Sequence, residues 1–385
     1  MNTSVGIFLF ADIDHSKFGG MESHAIHFIR FFKGNANYKL LYIISKDQKN
    51  LNSIFLPHGK LVCASLEVGS IGLFIRKWLN SYRVVCFFNN GWWIEDIETL
   101  RSYLPNVFFC QRTGGNEVIK ANLNCISLGY KERINYWVNN INNNLNAFIT
   151  NSAYTTQRVI SIGVNKNIIF QISGGVDFRA IHWAQQNRSM LRRAYFSDHH
   201  DQICVVSASR FVHFKGLDIT LHAISRAQKL KDFIYFIVGG GPEEPFIRTI
   251  ANRLKGIKCV FLGEKSFDES LYIITSADLL LCLSRECKIS VPGGAYIHTE
   301  TMGRTALEGI CAGVPVIATR VGGLPEFVTE DYGYLTEPDS PEEASSKIVM
   351  ALNARINKKQ NLNKIKSNYS WDAIFTQYMT IWDNK

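Results

Sequence analysis

The chain has 385 residues, of which 46% are hydrophobic and 19% are charged, and its formal net charge at pH 7 is +9. This balance is typical of a globular protein and excludes a disordered or fibrous one, and the length predicts two domains with separate cores. Nine cysteines without a C-x-x-C pair argue against a disulfide framework and against a structural zinc site.

No segment resembles a signal peptide, and none reaches the length of about 18 apolar residues that a membrane span needs. We therefore expect a cytoplasmic protein that meets a membrane only at its surface, on the inner face of the cytoplasmic membrane. The basic excess lies mainly in residues 1–185, where it suits an anionic membrane or substrate, although a basic solvated surface is the commoner case. No nucleic-acid-binding signature accompanies it, so no nucleic-acid partner is predicted.

The predicted elements alternate from the start between short apolar strands and amphipathic helices. VGIFLF is followed by the helix MESHAIHFIRFF, and KLLYIISK, RVVCFF, NVFFCQR and NAFITNS continue the strands. Such alternation predicts a parallel sheet between helices. After SGGVD (173–177), we interpret the polar, charged residues 178–202 as the connection between two domains.

A second alternating series begins at ICVVSASR (203–210) and continues through FIYFIVGGG, KCVFLG, DLLLCLSR and VPVIAT. We therefore predict an α/β fold with two doubly wound, Rossmann-like domains. The predicted boundaries are 1–185 for the first domain, 186–365 for the second, and 366–385 for a terminal helix with aromatic anchors.

Two glutamates stand eight positions apart around one short helix of the second series. Gly303 can begin this helix and Gly313 can end it, so Glu300 lies just before the N-terminus and Glu308 lies one to two turns inside. A helix N-terminus binds phosphate, and carboxylates accept hydrogen bonds from hydroxyls. This order of groups suits a nucleotide-diphosphate sugar. For the two glutamates alone, a simpler interpretation is that the helix dipole favours the first and that the second faces solvent.

Two cations and two glycine turns accompany the glutamates. Arg210 and Lys215, five positions apart in a loop after a strand, could neutralise a diphosphate whose negative charge grows as it leaves. Each glycine turn follows a strand and lets backbone approach a ligand, although neither has the spacing of a dinucleotide fingerprint. The turns are VGGGP (238–242), which contains Gly241, and FGGMESH (18–24), which contains Gly19 and Gly20.

In this combination and order, the motifs resemble glycosyltransferase family 4, whose members have the GT-B architecture and retain the configuration of the sugar. The segment from Glu300 to Glu326 resembles the family's E-x7-E region, and Arg210 with Lys215 resembles its R-x4-K diphosphate clamp. SGGVD and the terminal YSWDAIFTQYMTIW also match, so the resemblance spans nearly the whole chain. It implies two domains that face each other across a cleft, with the terminal helix crossing back to the first domain.

The resemblance implies a role for each of these residues. Glu300 would bind the transferred sugar and Glu308 the ribose, while Arg210 and Lys215 would bind the diphosphate, and Glu300, Arg210 and Lys215 form the implied catalytic set. The remaining implied donor-binding residues are Met302, Gly303, Arg304, Thr305, Gly241, Gly20 and Gly19. The acceptor hydroxyl would attack from the face that the diphosphate leaves, with no metal and no cofactor.

The sequence departs from the family at two places. Where relatives carry a histidine–aspartate pair, this chain has FFCQRTGG (108–115), so Gln111 and Arg112, together with Glu22, become the candidates on the acceptor side. The segment CKISVPGGAYIHT (287–299) is longer than a minimal loop, and we expect it to shape the sugar pocket, with His298 in a structural role. The D-x-D formed by Asp12, Ile13 and Asp14 is interpreted as a turn.

We therefore expect a retaining glycosyltransferase that moves a hexose or N-acetylhexosamine from a UDP-sugar or GDP-sugar. The expected acceptor is a saccharide or a polyprenyl-diphosphate-linked glycan, in bacterial lipopolysaccharide, O-antigen or capsule synthesis. The alternatives are a nucleotide-sugar epimerase of the same fold and a non-catalytic sugar-nucleotide-binding scaffold. The donor base, the sugar, the linkage and the oligomeric state stay open.

GLFIRKWLNSYR (72–83) mixes aromatic and aliphatic side chains with three cations. The pattern predicts either a basic, aromatic face on an anionic membrane or an ordinary amphipathic helix packed on the sheet. With the basic excess of the first domain, the first alternative favours a lipid-linked acceptor and a peripheral membrane contact.

Overall fold

A computed structural model describes residues 4–11, 19–45, 62–63, 68–120, 129–354 and 362–384. The D-x-D at Asp12 and Asp14 lies outside these residues. The chain forms two compact units. Unit 1 comprises Met1–Gly175, Ser290–Tyr296 and Trp371–Lys385, and unit 2 comprises Val176–Ile289 and Ile297–Ser370.

Within its described part, unit 1 contains a sheet of seven strands: β1 Val5–Phe10, β2 Tyr38–Ser45, β3 Val62–Cys63, β4 Arg83–Phe88, β5 Phe108–Arg112, β6 Ala147–Thr150 and β7 Ile169–Gln171. All are parallel, in the order β3-β2-β1-β4-β5-β6-β7, so the order reverses between β1 and β4. Every residue of β1 is buried, as expected for a strand covered by helices on both faces.

The helices of unit 1 follow its strands and cover both faces of the sheet. They are α1 Gly20–Lys33, α2 Val68–Arg76, α3 Ile94–Tyr103, α4 Asn116–Lys120, α5 Tyr130–Asn144 and α6 Ala153–Ser161. One cluster of the core packs α1 on the sheet through Phe28 and Phe32, and a second packs α3 and α5 through Ile97 and Ile141.

Unit 2 repeats the doubly wound pattern. The strands of its main sheet, numbered on from unit 1, are β8 Cys204–Ala208, β9 Ile234–Val238, β10 Cys259–Gly263, β11 Leu279–Cys282, β14 Val316–Thr319 and β15 Gly333–Thr336. A separate two-stranded sheet consists of β12 Cys287–Val291 and β13 Gly294–His298, of which Ser290–Tyr296 is assigned to unit 1. The main sheet is parallel, in the order β10-β9-β8-β11-β14-β15. Its order reverses between β8 and β11, which is the topological switch point of such a sheet.

The helices of unit 2 are α7 Phe178–Gln186, α8 Arg188–Phe196, α9 Leu217–Ala227, α10 Glu244–Arg253, α11 Phe267–Ser276, α12 Arg304–Cys311, α13 Leu324–Phe327, α14 Pro341–Ala354 and α15 Leu362–Tyr369. Residues 178–202, interpreted from the sequence as an interdomain connection, are instead mainly α7 and α8. Asp177 caps α7 by accepting hydrogen bonds from two backbone N–H groups. Ile181 and Ala184 are buried in α7, and Leu191 and Phe196 are buried in α8. Ile181 and Phe196 belong to the hydrophobic core of unit 2.

The last helix, α16 (Trp371–Asp383), belongs to unit 1 and packs on α1. Trp371, Phe375, Tyr378 and Trp382 recur every three or four residues, so they occupy one face of the helix. Phe375 is fully buried, with its ring centroid 5.5 Å from that of Phe28. None of the described helices has the length and hydropathy to span a lipid bilayer.

A buried polar network connects α16 to the sheet of unit 1. The Tyr378 hydroxyl lies 3.1 Å from His24 Nε2 and accepts a hydrogen bond of 2.9 Å from Arg112 Nη1. His24 Nδ1 lies 2.7 Å from Asn89 Oδ1, and burial lowers the pKa of His24 well below its ordinary value. The network therefore joins α1, the ends of β4 and β5, and α16 inside one unit.

Candidate functional site

Unit 2 contains a pocket at the carboxyl ends of β8 and β11, where its strand order reverses. Residues 207–209 and 281–284 line it at the ends of the two strands, together with Lys215, Glu300 and the beginning of α12. The remaining lining residues are Leu217, Thr220 and Leu324. Ligands of open α/β sheets bind at such switch points, so this pocket is the candidate functional site.

Lys215 and Glu300 form an ion pair in this pocket. The two residues are 85 positions apart in the sequence. Their side chains are only 19% and 18% exposed. The backbone N–H of Gly303 also donates to Glu300 Oε1, over 3.3 Å. The pairing leaves other lone pairs of the carboxylate able to accept hydrogen bonds from a ligand.

The environment of Glu300 determines its protonation. Burial alone would raise the pKa of the Glu300 carboxyl, but the charge and hydrogen bond of Lys215, the N–H of Gly303 and the charge of His298 together lower it below the ordinary value of 4.5. The pocket therefore holds Glu300 as a carboxylate at neutral pH.

Two glycines fix the backbone around Glu300. The N–H of Gly323 donates to the carbonyl oxygen of Glu300 over 3.0 Å. Gly322 has a φ of +54°, and a Cβ there would lie 1.8 Å from the same oxygen. No other residue fits this turn without a backbone shift. Gly322 and Gly323 were not among the predicted site residues, although the sequence VGGLP (321–325) in the resembling segment was a signal for them.

The helix α12 begins after Gly303, which has a φ of +84°, and ends close to Gly313, as the sequence predicted. Inside it, Glu308 pairs with Arg304 across one turn, with 3.2 Å between Oε1 and Nε. The guanidinium of Arg304 also lies 4.6 Å from the centre of the Phe267 ring. Burial raises the pKa of the Glu308 carboxyl, and the charge of Arg304 opposes this rise.

The other predicted residues around α12 contribute in different ways. The side chain of Met302 is buried in the core of unit 2, so only its backbone is available to a ligand. Thr305 lines the pocket and donates from its hydroxyl to Ala208 O over 3.3 Å. Arg210 is exposed in the loop after β8 and does not line the pocket that contains Lys215.

The glycine turn after β9 packs on the loop that leads to Lys215. A Cβ on Gly239 would lie 1.9 Å from Ser209 O, and a Cβ on Gly241 would lie 2.7 Å from Phe211 O. Both glycines have positive φ angles. The backbone approach made by this turn is therefore to residues 209–211, and direct contact between Gly241 and a ligand stays a prediction.

The predicted residues of unit 1 fall into two groups. Gly19 and Gly20 precede or begin α1, with Glu22 in its first turn. Among the described residues, apart from its chain neighbours and the backbone of α1, no atom lies within 4 Å of where a Cβ of Gly20 would stand. Gln111 and Arg112 lie at the end of β5, and both side chains are buried. Gln111 donates to Asn90 O over 3.0 Å, while Arg112 belongs to the network with Tyr378. Contact between these residues and an acceptor stays a prediction.

The segment 287–299 forms the hairpin of β12 and β13, and none of its residues lines the pocket. His298 packs its ring edge-to-face on Phe214, with 4.5 Å between the ring centroids. Across the described ranges, no group of three or more His, Cys, Asp or Glu side chains is arranged to hold a metal ion.

Comparison with protein families gives a match over residues 193–368 to the family described as Glycosyl transferases group 1. An uncharacterized glycosyltransferase of Methanocaldococcus jannaschii, MJ1178, is 33% identical over 168 residues, which are 42% of each chain. A phosphatidylinositol N-acetylglucosaminyltransferase component of Arabidopsis thaliana is 27% identical over 230 residues, which are 58% of this chain and 46% of that one. The chain thus spans less than half the length of these curated relatives. The family match confirms the resemblance inferred from the motifs.

Comparison with solved structures extends the likeness to the first half of the chain. The Anabaena protein Alr3699/HepE, solved in complex with UDP-glucose, superposes with a TM-score of 0.74 and 17% identity. The match covers 99% of this chain and 100% of that one. It confirms the predicted α/β fold of the GT-B class.

We expect Lys215→Met to lower the free energy of unfolding at pH 7 by about 3 kcal/mol, because it leaves the buried Glu300 carboxylate without its counter-charge. In the wild type the pKa of Glu300 is lowered, so the stability from the pair is present above the ordinary pKa of 4.5 and is lost as pH falls through the lowered value. In the variant burial raises this pKa, so the loss should shrink as pH falls from 7 toward 4.5. Denaturant unfolding at several pH values measures this.

Lys258→Met is the matched control, since it removes a lysine from an exposed ion pair with Asp232 at 2.7 Å. The two side chains are 53% and 80% exposed, so the expected loss is at most about 1 kcal/mol. Equal losses in the two variants, with no dependence on pH, would contradict the assignment of Glu300 as a buried carboxylate held by Lys215.

Proposed function

We propose that this chain is a glycosyltransferase that takes its sugar from a nucleoside-diphosphate sugar, because residues 193–368 match the family described as Glycosyl transferases group 1. The observation that carries the proposal is the pocket of unit 2. Lys215, Glu300 and the N-terminus of α12 line the same space there. An ammonium and backbone N–H groups suit a diphosphate, and a carboxylate suits sugar hydroxyls.

In the proposed complex the charged residues bind three parts of the donor. Lys215 binds the diphosphate, joined by Arg210 from the exposed loop, while Glu300 accepts hydrogen bonds from hydroxyls of the transferred sugar. Glu308, inside α12, binds the ribose. The amides at the start of α12 contact the phosphates, an arrangement that the positive end of the helix dipole favours.

The proposed reaction retains the configuration of the sugar and uses no metal. The acceptor oxygen forms a bond to the anomeric carbon on the face from which the diphosphate leaves, the bond from that carbon to the phosphate oxygen breaks, and the acceptor proton passes to the leaving diphosphate. Lys215 and Arg210 offset the negative charge that grows on the leaving group. Glu300 orients the sugar, and no side-chain nucleophile is required.

A UDP-sugar is the donor we propose, with a GDP-sugar as the alternative. The support is the structural likeness to Alr3699/HepE, which was solved with UDP-glucose. For the acceptor we propose a saccharide or lipid-linked glycan bound by unit 1, in lipopolysaccharide, O-antigen or capsule synthesis. The name of the Arabidopsis relative, which refers to a phosphatidylinositol N-acetylglucosaminyltransferase, supports a lipid-linked acceptor but a different pathway.

Titration calorimetry of UDP, GDP and their sugar conjugates without added metal tests the donor site. We expect micromolar binding of one nucleotide series. Glu308→Gln should weaken binding of the free nucleoside diphosphate by about tenfold, because a hydrogen-bonded charge is lost from the ribose. Glu300→Gln should not weaken binding of the free nucleoside diphosphate, because Lys215 then lacks the carboxylate with which the diphosphate competes, and it should abolish the additional effect of the sugar.

Glu326→Gln, at an exposed position beyond the pocket lining, serves as the control and should bind like the wild type. Binding of no nucleotide by the folded wild type would contradict the glycosyltransferase proposal and favour a scaffold. Interconversion of the free donor sugar without an acceptor would instead favour the epimerase.

We also propose a peripheral membrane contact through the end of α2 and the residues after it. Arg76 and Lys77 are exposed, as are Leu73 at 52% and Leu79 at 39%. Phe74 and Trp78 face the sheet, since the centres of their rings lie 4.9 and 5.5 Å from that of Tyr42 in β2. The aromatic residues thus anchor the helix to the sheet, and the contact would depend on the two cations and two leucines.

Sedimentation with liposomes that contain anionic lipid tests this contact. Arg76→Glu with Lys77→Glu should lower the bound fraction, because repulsion replaces attraction to the anionic surface. Lys229→Glu with Lys255→Glu changes the net charge equally at exposed positions of unit 2 and should have a smaller effect. Equal sedimentation of the wild type and both variants would exclude the proposed surface.

A further inference from the structure

The loop that carries Lys215 lies directly on the segment that follows β11. Residues His213–Lys215 form a short 3-10 helix, and Gly216 then leads into α9 with a φ of +64°. A Cβ on Gly216 would lie 2.0 Å from Leu283 O, and Phe214 O accepts a hydrogen bond of 2.8 Å from the N–H of Arg285. The position of Lys215 therefore depends on residues 283–285.

The side chain of Arg285 contacts this loop on both sides of Lys215. Its Nη2 donates to both carboxylate oxygens of Asp218, over 2.7 and 2.9 Å, and Asp218 lies in the first turn of α9. Its Nη1 lies 3.2 Å from Nε2 of His213. One guanidinium thus holds the residue two positions before Lys215 and the residue three positions after it.

The surroundings of Arg285 indicate a geometric role. Its side chain is only 9% exposed, and Nε also lies 3.0 Å from Oδ1 of Asp339. A buried ion pair adds little net stability, because the loss of hydration offsets the attraction. The planar, forked guanidinium does fix the relative position of the groups that it binds, which a lysine cannot do.

We propose that Arg285 is a positioning residue that holds the loop 213–218 so that the Lys215 ammonium points into the pocket to bind the diphosphate of the donor. The inference rests on the proposed function of this pocket. Arg285 itself does not line the pocket, so it acts through Lys215. Phe214, in the same loop, packs on His298, and the centre of its ring lies 5.2 Å from Lys215 Nζ.

The test compares UMP with UDP, or GMP with GDP if the wild type prefers guanine, by titration calorimetry of the full chain. The dissociation constant of the monophosphate divided by that of the diphosphate, here called the phosphate ratio, isolates the contribution of the second phosphate. Arg285→Lys keeps the charge but loses the fork, and it should reduce this ratio by about tenfold while the affinity for the monophosphate changes by less than about twofold. Asp218→Asn should reduce the ratio in the same direction and gives a second test from the α9 side.

Coupling to Lys215 separates positioning from a general structural role. Lys215→Met should reduce the same ratio, and adding Arg285→Lys to it should cause no further loss, because both act through one contact. Arg192→Lys is the matched control. Arg192 is buried in the same unit and pairs with Asp278 at 3.1 Å, but neither residue lines the pocket. The Arg192→Lys variant should have a lower melting temperature than the wild type but the same phosphate ratio.

The outcomes distinguish this inference from the proposed function. A wild type that binds the diphosphate no better than the monophosphate contradicts the proposed function before any variant is measured. A wild type with a clear preference for the diphosphate that persists unchanged in folded Arg285→Lys and Asp218→Asn overturns the positioning role alone. An equal reduction of the phosphate ratio in Arg285→Lys and in Arg192→Lys would also overturn the positioning role of Arg285.

Discussion

The ion pair between Lys215 and Glu300 is the interaction on which the candidate site depends. It places opposite charges, each mostly buried, at the switch point between β8 and β11. Without Lys215, burial would favour a neutral carboxyl, and without Glu300 the pocket would carry an unbalanced ammonium. The pair keeps the Glu300 carboxylate charged before a ligand arrives. A diphosphate can then replace the carboxylate as the partner of Lys215 and leave Glu300 to accept hydrogen bonds from hydroxyls.

Close contacts between backbones hold the loops around this pair. At Gly216, Gly239 and Gly322, a Cβ would lie within about 2 Å of a carbonyl oxygen from a neighbouring loop. The loops thus pack through main-chain atoms, which move less than long side chains do. Arg285 adds a side-chain contact to these main-chain contacts, since its guanidinium joins the segment after β11 to Asp218 in α9. These contacts hold the loops around the ion pair in place before a ligand binds.

Much of the fold and part of the site could be predicted from the sequence. The alternation of apolar strands and amphipathic helices predicted doubly wound sheets, and the glycines at 303 and 313 predicted the bounds of α12, because these signals are local. The helices α7 and α8 were missed, since their few apolar residues lie among many charges. The pairing of Lys215 with Glu300 depends on which strands are neighbours, which spacing along the chain does not reveal. The burial of Arg112 likewise depends on Tyr378, 266 positions away.

The most direct test of the central claim is hydrogen–deuterium exchange of the full chain with and without saturating UDP, or GDP if that nucleotide binds. If the pocket at the switch point binds the diphosphate, the amides of residues 213–216 and of residues 303–306 should exchange more slowly in the complex. The amides of α14 (Pro341–Ala354), which contributes no residue to the pocket lining, should not change. The account would be contradicted if the nucleotide binds but leaves residues 213–216 and 303–306 unprotected, or if it protects only residues of unit 1.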